Sequence, residues 1–551
     1  MSSDIRMLRN EYFNSLHYLH VQKKNFQKTN EFQVLRHSKI FRKYWTGKNI
    51  SITPFVLKVN IYATLACNQR VSLSLTMNES CKTRNQNKTV DRKMINPTTI
   101  IIEDLCSYLL EKPSLFPGVD FPKTSISFIR VHREKLKTHG EFSFPGCTDL
   151  WRKSCKETGH KLREIAFAIF KEEKDISNTA KKKFLESAAC WKFPIERIRI
   201  ENERCFLYLH RHIVMGVLLQ EVLKKDTNTR GYGKLKKEAN LRICLSCTKQ
   251  NEKEASELSS YRAKLVEDIL GRVLEYSKWT VVNEEEVIQA KKGNGANVLQ
   301  LDVTSVAGKP SLNSPVIPPS KLSYSTIRCG LVIDPLTGKL TKLKTSEYLS
   351  CRSNDMCLMA MHKYGVRVKD DAKFNALMSR LGSAAVTVDL MEVRFSSPVQ
   401  ITRSGKGSTK GAAFILYNSA RLESLLRKFD EKVENGAYEN LPPLENINFT
   451  LLDEEEEWQL VFGYIFAFPN LIESCLEQIE KGVCAIHTIV RYLGDLASLF
   501  SVYYRRIRIL TQETREHLMP CVYARVYLVK AVREILNQTL ALLDIEPVQF
   551  M

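Results

Sequence analysis

The chain has 551 residues, 44% of them apolar, and a formal net charge of +21 from 82 Lys and Arg against 61 Asp and Glu. That length and apolar share exclude a disordered or fibrous chain and predict two to four domains with sizeable cores. The 15 cysteines are irregularly spaced, which excludes a disulfide scaffold. There is no secretory leader, and no apolar run is expected to reach membrane-spanning length. A reducing, cytoplasmic, soluble protein is expected, with the nucleus left open and no membrane partner. The charge is uneven: residues 1–330 hold 56 basic and 34 acidic groups, residues 331–551 hold 26 and 27. Such a basic half attracts a polyanion through long-range steering and counterion release, although a merely solvating basic surface gives the same count.

Taken in order, Lys23 to Trp45 interleaves seven cations with Phe26, Phe32, Phe41, Tyr44 and Trp45. This is the pattern of a nucleic-acid surface or of amphipathic helices whose rings enter a core. Residues 54–77 read as a β-hairpin. An α/β alternation follows: a strand at 98–102, a helix at 103–111, a strand at 125–131, and helices at 159–174 and 203–225. Beyond it come strands at 242–247 and 279–283 around a helix at 254–276. Alternation of this kind predicts a parallel or mixed sheet covered by helices. Cys244 and Cys247 form a lone C-x-x-C with no second pair at ligand spacing, so no metal is expected, nor any cofactor. His210 and His212 flank Arg211 in an apolar stretch, where structural histidines are more frequent than ligands or bases.

Residues 291–325 turn to Gly, Asn, Pro and Ser and read as an irregular linker, even if a strand is inserted near 298–306. The expected division is therefore a basic, diverged α/β region at 1–290, the linker at 291–325, a connecting, stem-contact-like region at 326–410 and a helical bundle at 411–551. In the third segment, Lys339, Lys342 and Lys344 lie in a glycine-containing loop that suits phosphates, or equally a solvated hairpin.

The bundle carries the placed cations. On a helix over 411–429, Phe414, Ile415, Leu422, Leu425, Leu426 and Phe429 form the apolar face. Tyr417, Arg421, Ser424 and Lys428 make a second stripe at i, i+4, i+7 and i+11, with Arg427 beside it. A helix over 488–510 buries Leu493, Leu496, Phe500, Tyr504 and Ile507, turns Arg505 and Arg506 outward and puts Arg508 on its flank. One ring of Tyr503 and Tyr504 serves the core and the other is available to stack. Arg525 continues the apolar face of Leu528, Val532 and Leu536 and so needs a partner, a carboxylate within 453–457 or RNA, whereas Lys530 and Arg533 point elsewhere.

The order of these motifs resembles the C-terminal half of the arginyl-tRNA synthetase family. GKLTKLKTS stands where that class I family has its degenerate KMSKS-type loop. GAAFILYNSARLESLLRK, IVRYLGDLASLFSVYYRRIRIL and ARVYLVKAVREILNQTLALLDI resemble its successive signature helices. The resemblance implies an all-α DALR anticodon-binding bundle after a diverged, class I synthetase-like Rossmann region. It implies tRNA binding by Tyr417, Arg421, Ser424, Arg427, Lys428, Tyr503, Tyr504, Arg505, Arg506, Arg508, Arg525, Lys530 and Arg533, and by Lys339, Lys342 and Lys344. No H-x-G-H occurs; the nearest trace is Leu209 to Ile213, where Arg211 replaces the space-giving glycine. The resemblance is therefore to the DALR-domain branch without catalysis. It implies a non-enzymatic adaptor that recognises arginine tRNAs and recruits a methyltransferase-like partner, a tRNA 3-methylcytidine methyltransferase acting in the anticodon loop. The alternatives are an unconventional aminoacylating synthetase and a structural subunit of a synthetase assembly.

Overall fold

Asn96 starts the first helix of the computed structural model: its side chain accepts from the amides of Thr98 and Thr99, and Pro97 follows at the first helical position. The residues described are 96–111, 128–224, 232–234, 237, 241–247, 257–283, 285–287, 298–305, 322–364, 372–401, 411–511 and 515–549. The chain divides into two units, 1–88 and 89–551, and all of these residues belong to the second. The aromatic-basic opening at 23–45 and the hairpin expected at 54–77 lie outside them.

Helix α1 (Pro97–Leu109) replaces the strand and helix expected over 98–111. Its three consecutive isoleucines suggested a strand, but the Asn-Pro cap commits them to a helix that buries Ile101, Leu105, Cys106 and Leu109. Strands β1 (Leu110–Glu111) and β4 (Lys161–Leu162) pair antiparallel. Around them run β2 (Arg130–Val131), α2 (Leu136–His139), β3 (Phe142–Pro145), α3 (Thr148–Thr158) and α4 (Lys174–Ala188). Gly159, at φ 73°, stops α3 where a helix was expected to begin. The helix expected over 203–225 is instead strand β6 (Arg204–Leu209) followed by α5 (Arg211–Leu223). Asn202 and Glu203 both have positive φ and make the tight turn that joins β6 to β5 (Ile195–Glu201). These strands form a four-stranded antiparallel sheet in the order β2-β3-β6-β5.

A second sheet is wholly parallel, in the order β10-β9-β7-β8, built from β7 (Arg242–Cys247), β8 (Thr280–Val282), β9 (Val298–Ser305) and β10 (Leu322–Cys329). Helix α6 (Leu258–Glu275) connects β7 to β8 and packs on β7 and β9. The chain moves to one side of β7 for β8 and to the other for β9 and β10, which makes the β7/β9 gap a topological switch point. The stretch expected as a linker at 291–325 thus contains β9 and the start of β10, so the sheet runs through the anticipated boundary. Cys244 and Cys247 sit three apart on β7, where side chains alternate faces, so they do not converge on one ligand.

After β11 (Val332–Ile333) come the long helices α7 (Thr345–Tyr364) and α8 (Ala372–Met391), then β12 (Val399–Gln400) beside β11. Arg352 binds the helix pair together with Asp355 at 2.8 Å and Asp389 at 2.9 Å. The bundle consists of α9 (Ala412–Glu434), α10 (Glu455–Leu460), α11 (Phe468–Leu476), α12 (His487–Arg506) and α13 (Met519–Leu542). The fold is thus a mixed α/β region followed by a helical bundle. One helical run, 455–481, is long and apolar enough to cross a membrane, contrary to the sequence expectation, but 56% of its apolar window is buried inside the protein. It packs Trp458, Phe462, Phe466 and Phe468 into a core continuous with Phe142 and Phe193 of the antiparallel-sheet layer.

Candidate nucleic-acid interface

Helix α9 buries Ile415, Leu416, Leu422, Leu425, Leu426 and Phe429, leaving the Tyr417, Arg421, Ser424 and Lys428 stripe on its outer side. Arg421 lies between two rings, its guanidinium carbon 4.6 Å from the centroid of Tyr417 and 4.6 Å from that of Tyr504. It also donates to the Tyr417 hydroxyl at 3.1 Å, and to Asn418 Oδ1 and Ser501 Oγ at 3.3 Å each. The result is a cation fixed in place before any ligand arrives. An open groove of about 250 Å³ beside it is lined by Tyr417, Arg421, Ser424, Arg427, Tyr504 and Gln549.

Tyr504 also borders a larger groove of about 580 Å³, whose cations are Lys428, Lys432, Arg505, Arg506 and Arg508. Residues 507–511, which follow α12, also line it. The helix expected to reach 510 ends at Arg506, because Ile507 adopts a β conformation, so Arg508 lies beyond the helix and not on its flank. That segment is pinned at both ends. Arg525 Nη1 donates to the Arg508 carbonyl at 3.3 Å; Lys432 Nζ and Tyr438 Oη donate to that of Thr511 at 2.9 and 2.8 Å. Lys432 was not singled out in the sequence, although it continues the Lys428 row at i+4. Gln549 carries no sequence signal.

Nine predicted residues therefore meet around these two grooves: Tyr417, Arg421, Ser424, Arg427, Lys428, Tyr504, Arg505, Arg506 and Arg508. Others do not. Tyr503 is fully buried and donates to Glu457 Oε1 at 3.0 Å, so it serves the core while Tyr504, 37% exposed, faces the groove. This reverses the assignment of Tyr504 to the apolar stripe. Arg525 pairs with Glu457 at 2.8 Å, the carboxylate option and not the RNA one. Burial raises the Glu457 carboxyl above its ordinary value, against the opposing pull of Arg525 and Tyr503. Arg533 is held by Glu534 at 2.7 Å and Glu423 at 3.5 Å, and Lys530 lies 5.9 Å from the Tyr527 ring.

The lysine loop lies elsewhere, after the last strand of the parallel sheet. Lys339, Lys342 and Lys344 are all exposed, and Lys339 directly follows the turn closed by the amide of Gly338 donating to the Asp334 carbonyl at 2.8 Å. Lys344 pairs through its backbone with Glu257, which caps α6, and the Val332 amide donates to Ser259 Oγ at 3.0 Å. The loop is thereby joined to the start of the helix that follows β7, beside the switch point. Beneath it, fully buried Arg262 donates to the carbonyls of Gly330, Leu390, Arg394 and Ser397 at 2.7 to 3.2 Å. With no carboxylate among these partners, burial lowers its pKa to about 10.

The trace at 209–213 belongs to the antiparallel sheet instead. Arg211 is drawn to Glu141 at 3.2 Å and Glu455 at 3.7 Å and lies 5.2 Å from the Trp458 ring, while His212 Nδ1 lies 3.0 Å from the Phe449 carbonyl. The trace therefore lies outside the parallel sheet, and the β7-to-α6 connection carries no H-x-G-H either.

A helical bundle bearing a basic-aromatic groove thus follows an α/β region that contains a parallel sheet and an exposed lysine loop. Residues 415–551 match the family model for the DALR anticodon binding domain, and the chain carries that domain. Among curated relatives, it is 31% identical over 216 residues to DALR anticodon-binding domain-containing protein 3 of Mus musculus, covering 38% of this chain and 39% of that protein. Arginine–tRNA ligase of Desulforamulus reducens is 35% identical over 132 residues, 24% of this chain and 21% of the ligase. The matched segment spans about two fifths of the length of the DALR-domain relatives.

By structure, the chain is similar to arginyl-tRNA synthetases of Thermus thermophilus and Plasmodium falciparum, with TM-scores of 0.51 and 0.50 and 12% identity in each case. These likenesses cover 83% and 84% of this chain and the whole of each synthetase. The sequence had offered the resemblance only for its last two fifths. A synthetase-like fold over most of the chain, joined to the arginine–tRNA ligase relatives, overturns two expectations: a purely non-catalytic adaptor for a methyltransferase, and a protein that is not an enzyme.

Proposed function

We propose that the chain binds tRNA in the two bundle grooves and acts in attaching arginine to tRNA, as an unconventional arginyl-tRNA synthetase-like enzyme. The convergence of nine predicted residues on grooves joined by Tyr504 carries the tRNA reading. A base stacks on the exposed face of Tyr504, and the Tyr417–Arg421–Tyr504 stack fixes its orientation. Lys428, Arg505, Arg506 and Arg508 meet phosphates. The excess charge of residues 1–330 supplies long-range attraction, so the grooves contribute selectivity, with arginine tRNAs preferred.

For the chemical step, Lys339, Lys342 and Lys344 neutralise the phosphates of ATP beside the N-terminus of α6, where oriented amides also favour an anion. The test is incubation of purified full-length chain with tRNA, ATP and labelled arginine. The expected result is label in tRNA, lost when all three lysines become alanine while tRNA binding persists. Intact tRNA binding with no arginine transfer by the unaltered chain overturns the enzymatic part.

A further inference from the structure

Helix α10 opens the helical run 455–481, and its successive side chains reach two different parts of the unit. Towards the groove, Glu456 ion-pairs with Arg506, and its own Oε2 is buried without a hydrogen-bond partner among the described residues. Glu457 holds Arg525, which in turn holds the Arg508 carbonyl. Towards the antiparallel sheet, Glu455 meets Arg211 at 3.7 Å and Lys137 at 3.4 Å. Trp458 Nε1 donates to fully buried Glu141 at 2.9 Å, and Glu141 also accepts from the Leu209 amide at 2.8 Å. Neighbouring residues of one short helix therefore hold both the wall of the RNA groove and the β6–α5 junction.

We propose that α10 is a relay: a phosphate that takes Arg506 loosens the β6–α5 junction at residues 209–214. The inference rests on the reading of the groove as an RNA site. A phosphate competes with Glu456 for the same guanidinium. A buried carboxylate stripped of its cation is costly, and the second oxygen of Glu456 has no hydrogen-bond partner among the described residues. Moving the first turn of α10 towards solvent relieves that cost. The same movement carries Glu455 and Trp458 away from Arg211 and Glu141, so ligand at one site weakens contacts at the other.

Amide hydrogen exchange on the full chain tests this, with and without a short anticodon stem-loop RNA of an arginine tRNA. RNA is expected to protect 503–511 and to speed exchange at 209–214 about threefold. Arg506→Ala is expected to produce the same acceleration without RNA. Glu456→Gln, which needs no cation, is expected to keep protection at 503–511 and lose the distal response. Protection at 503–511 with no change at 209–214, a persistent distal response in Glu456→Gln, or unchanged exchange in Arg506→Ala overturns the relay. Absence of protection at 503–511 overturns the RNA reading instead, and the Arg506→Ala comparison then still decides the relay by itself.

Discussion

The bundle groove and the lysine loop after the parallel sheet both present cations, but they hold them differently. In the groove, Arg421 is clamped between two rings and Arg506 is paired with a nearly buried glutamate. In the loop, the three lysines stand exposed, and the rigid cation, Arg262, is buried and bound wholly to backbone. Fixed cations lose little freedom when a ligand arrives and therefore discriminate by shape, whereas flexible lysines follow a charge wherever it develops. That contrast suits a site that selects an RNA and a site that attends to phosphates during a reaction.

The comparison breaks most forcefully at Arg262. Arg262→Met strands the carbonyls of Gly330 and Leu390 in buried surroundings and those of Arg394 and Ser397 in partly buried ones, and is expected to cost about 3 kcal/mol or more in denaturant unfolding. A near-neutral result removes the buried scaffold from beneath the lysine loop. Next in size is Tyr504→Ala, expected to weaken binding of an arginine-tRNA stem-loop by about 1 to 3 kcal/mol in fluorescence anisotropy. Its stability should change little, because the ring is partly exposed; equal losses for all RNA sequences sink the stacking role. Lys428→Ala sharpens the contrast by acting through charge alone. A uniform, few-fold loss of affinity is expected, with a salt-dependence slope shallower by about 1.

The last effect concerns Asp104 on α1, which lines neither groove. Burial, with Glu103 beside it, raises its pKa from 3.8 to about 6. Between those values the folded chain keeps a proton that the unfolded chain has released. The stability linked to Asp104 is therefore present below pH 3.8 and lost as pH rises through 6. Asp104→Asn should flatten that decline and stabilise the protein at pH 7 by about 1 kcal/mol, the full linkage being discounted for partial exposure. A pH profile of unfolding checks it.

Helical periodicity exposed α9, α12 and α13 because each buries a continuous stripe, and it located β7, α6 and β8 through alternation. It failed where an apolar run is short. Residues 204–209 read as helix because five buried or half-buried apolar side chains in a row carry no period, and only the positive φ of Asn202 and Glu203 reveals the turn. The groove stripe was legible since i, i+4, i+7 geometry is local. The partners of Arg211 and Arg525 were harder to read, since Glu141 and Glu457 lie far away in sequence; for Arg525 only the choice between carboxylate and RNA could be framed. The switch point was missed because its strands lie far apart in sequence, which drew attention to the histidines at 210 and 212 instead.

The most direct measurement is ultraviolet crosslinking of arginine tRNA to the full-length chain, followed by mass spectrometry of the crosslinked peptides. Crosslinks concentrated on the peptides bearing Tyr417 and Tyr504, and lost in Tyr504→Ala, are the predicted result. Efficient crosslinking that leaves both peptides unmodified would contradict the account.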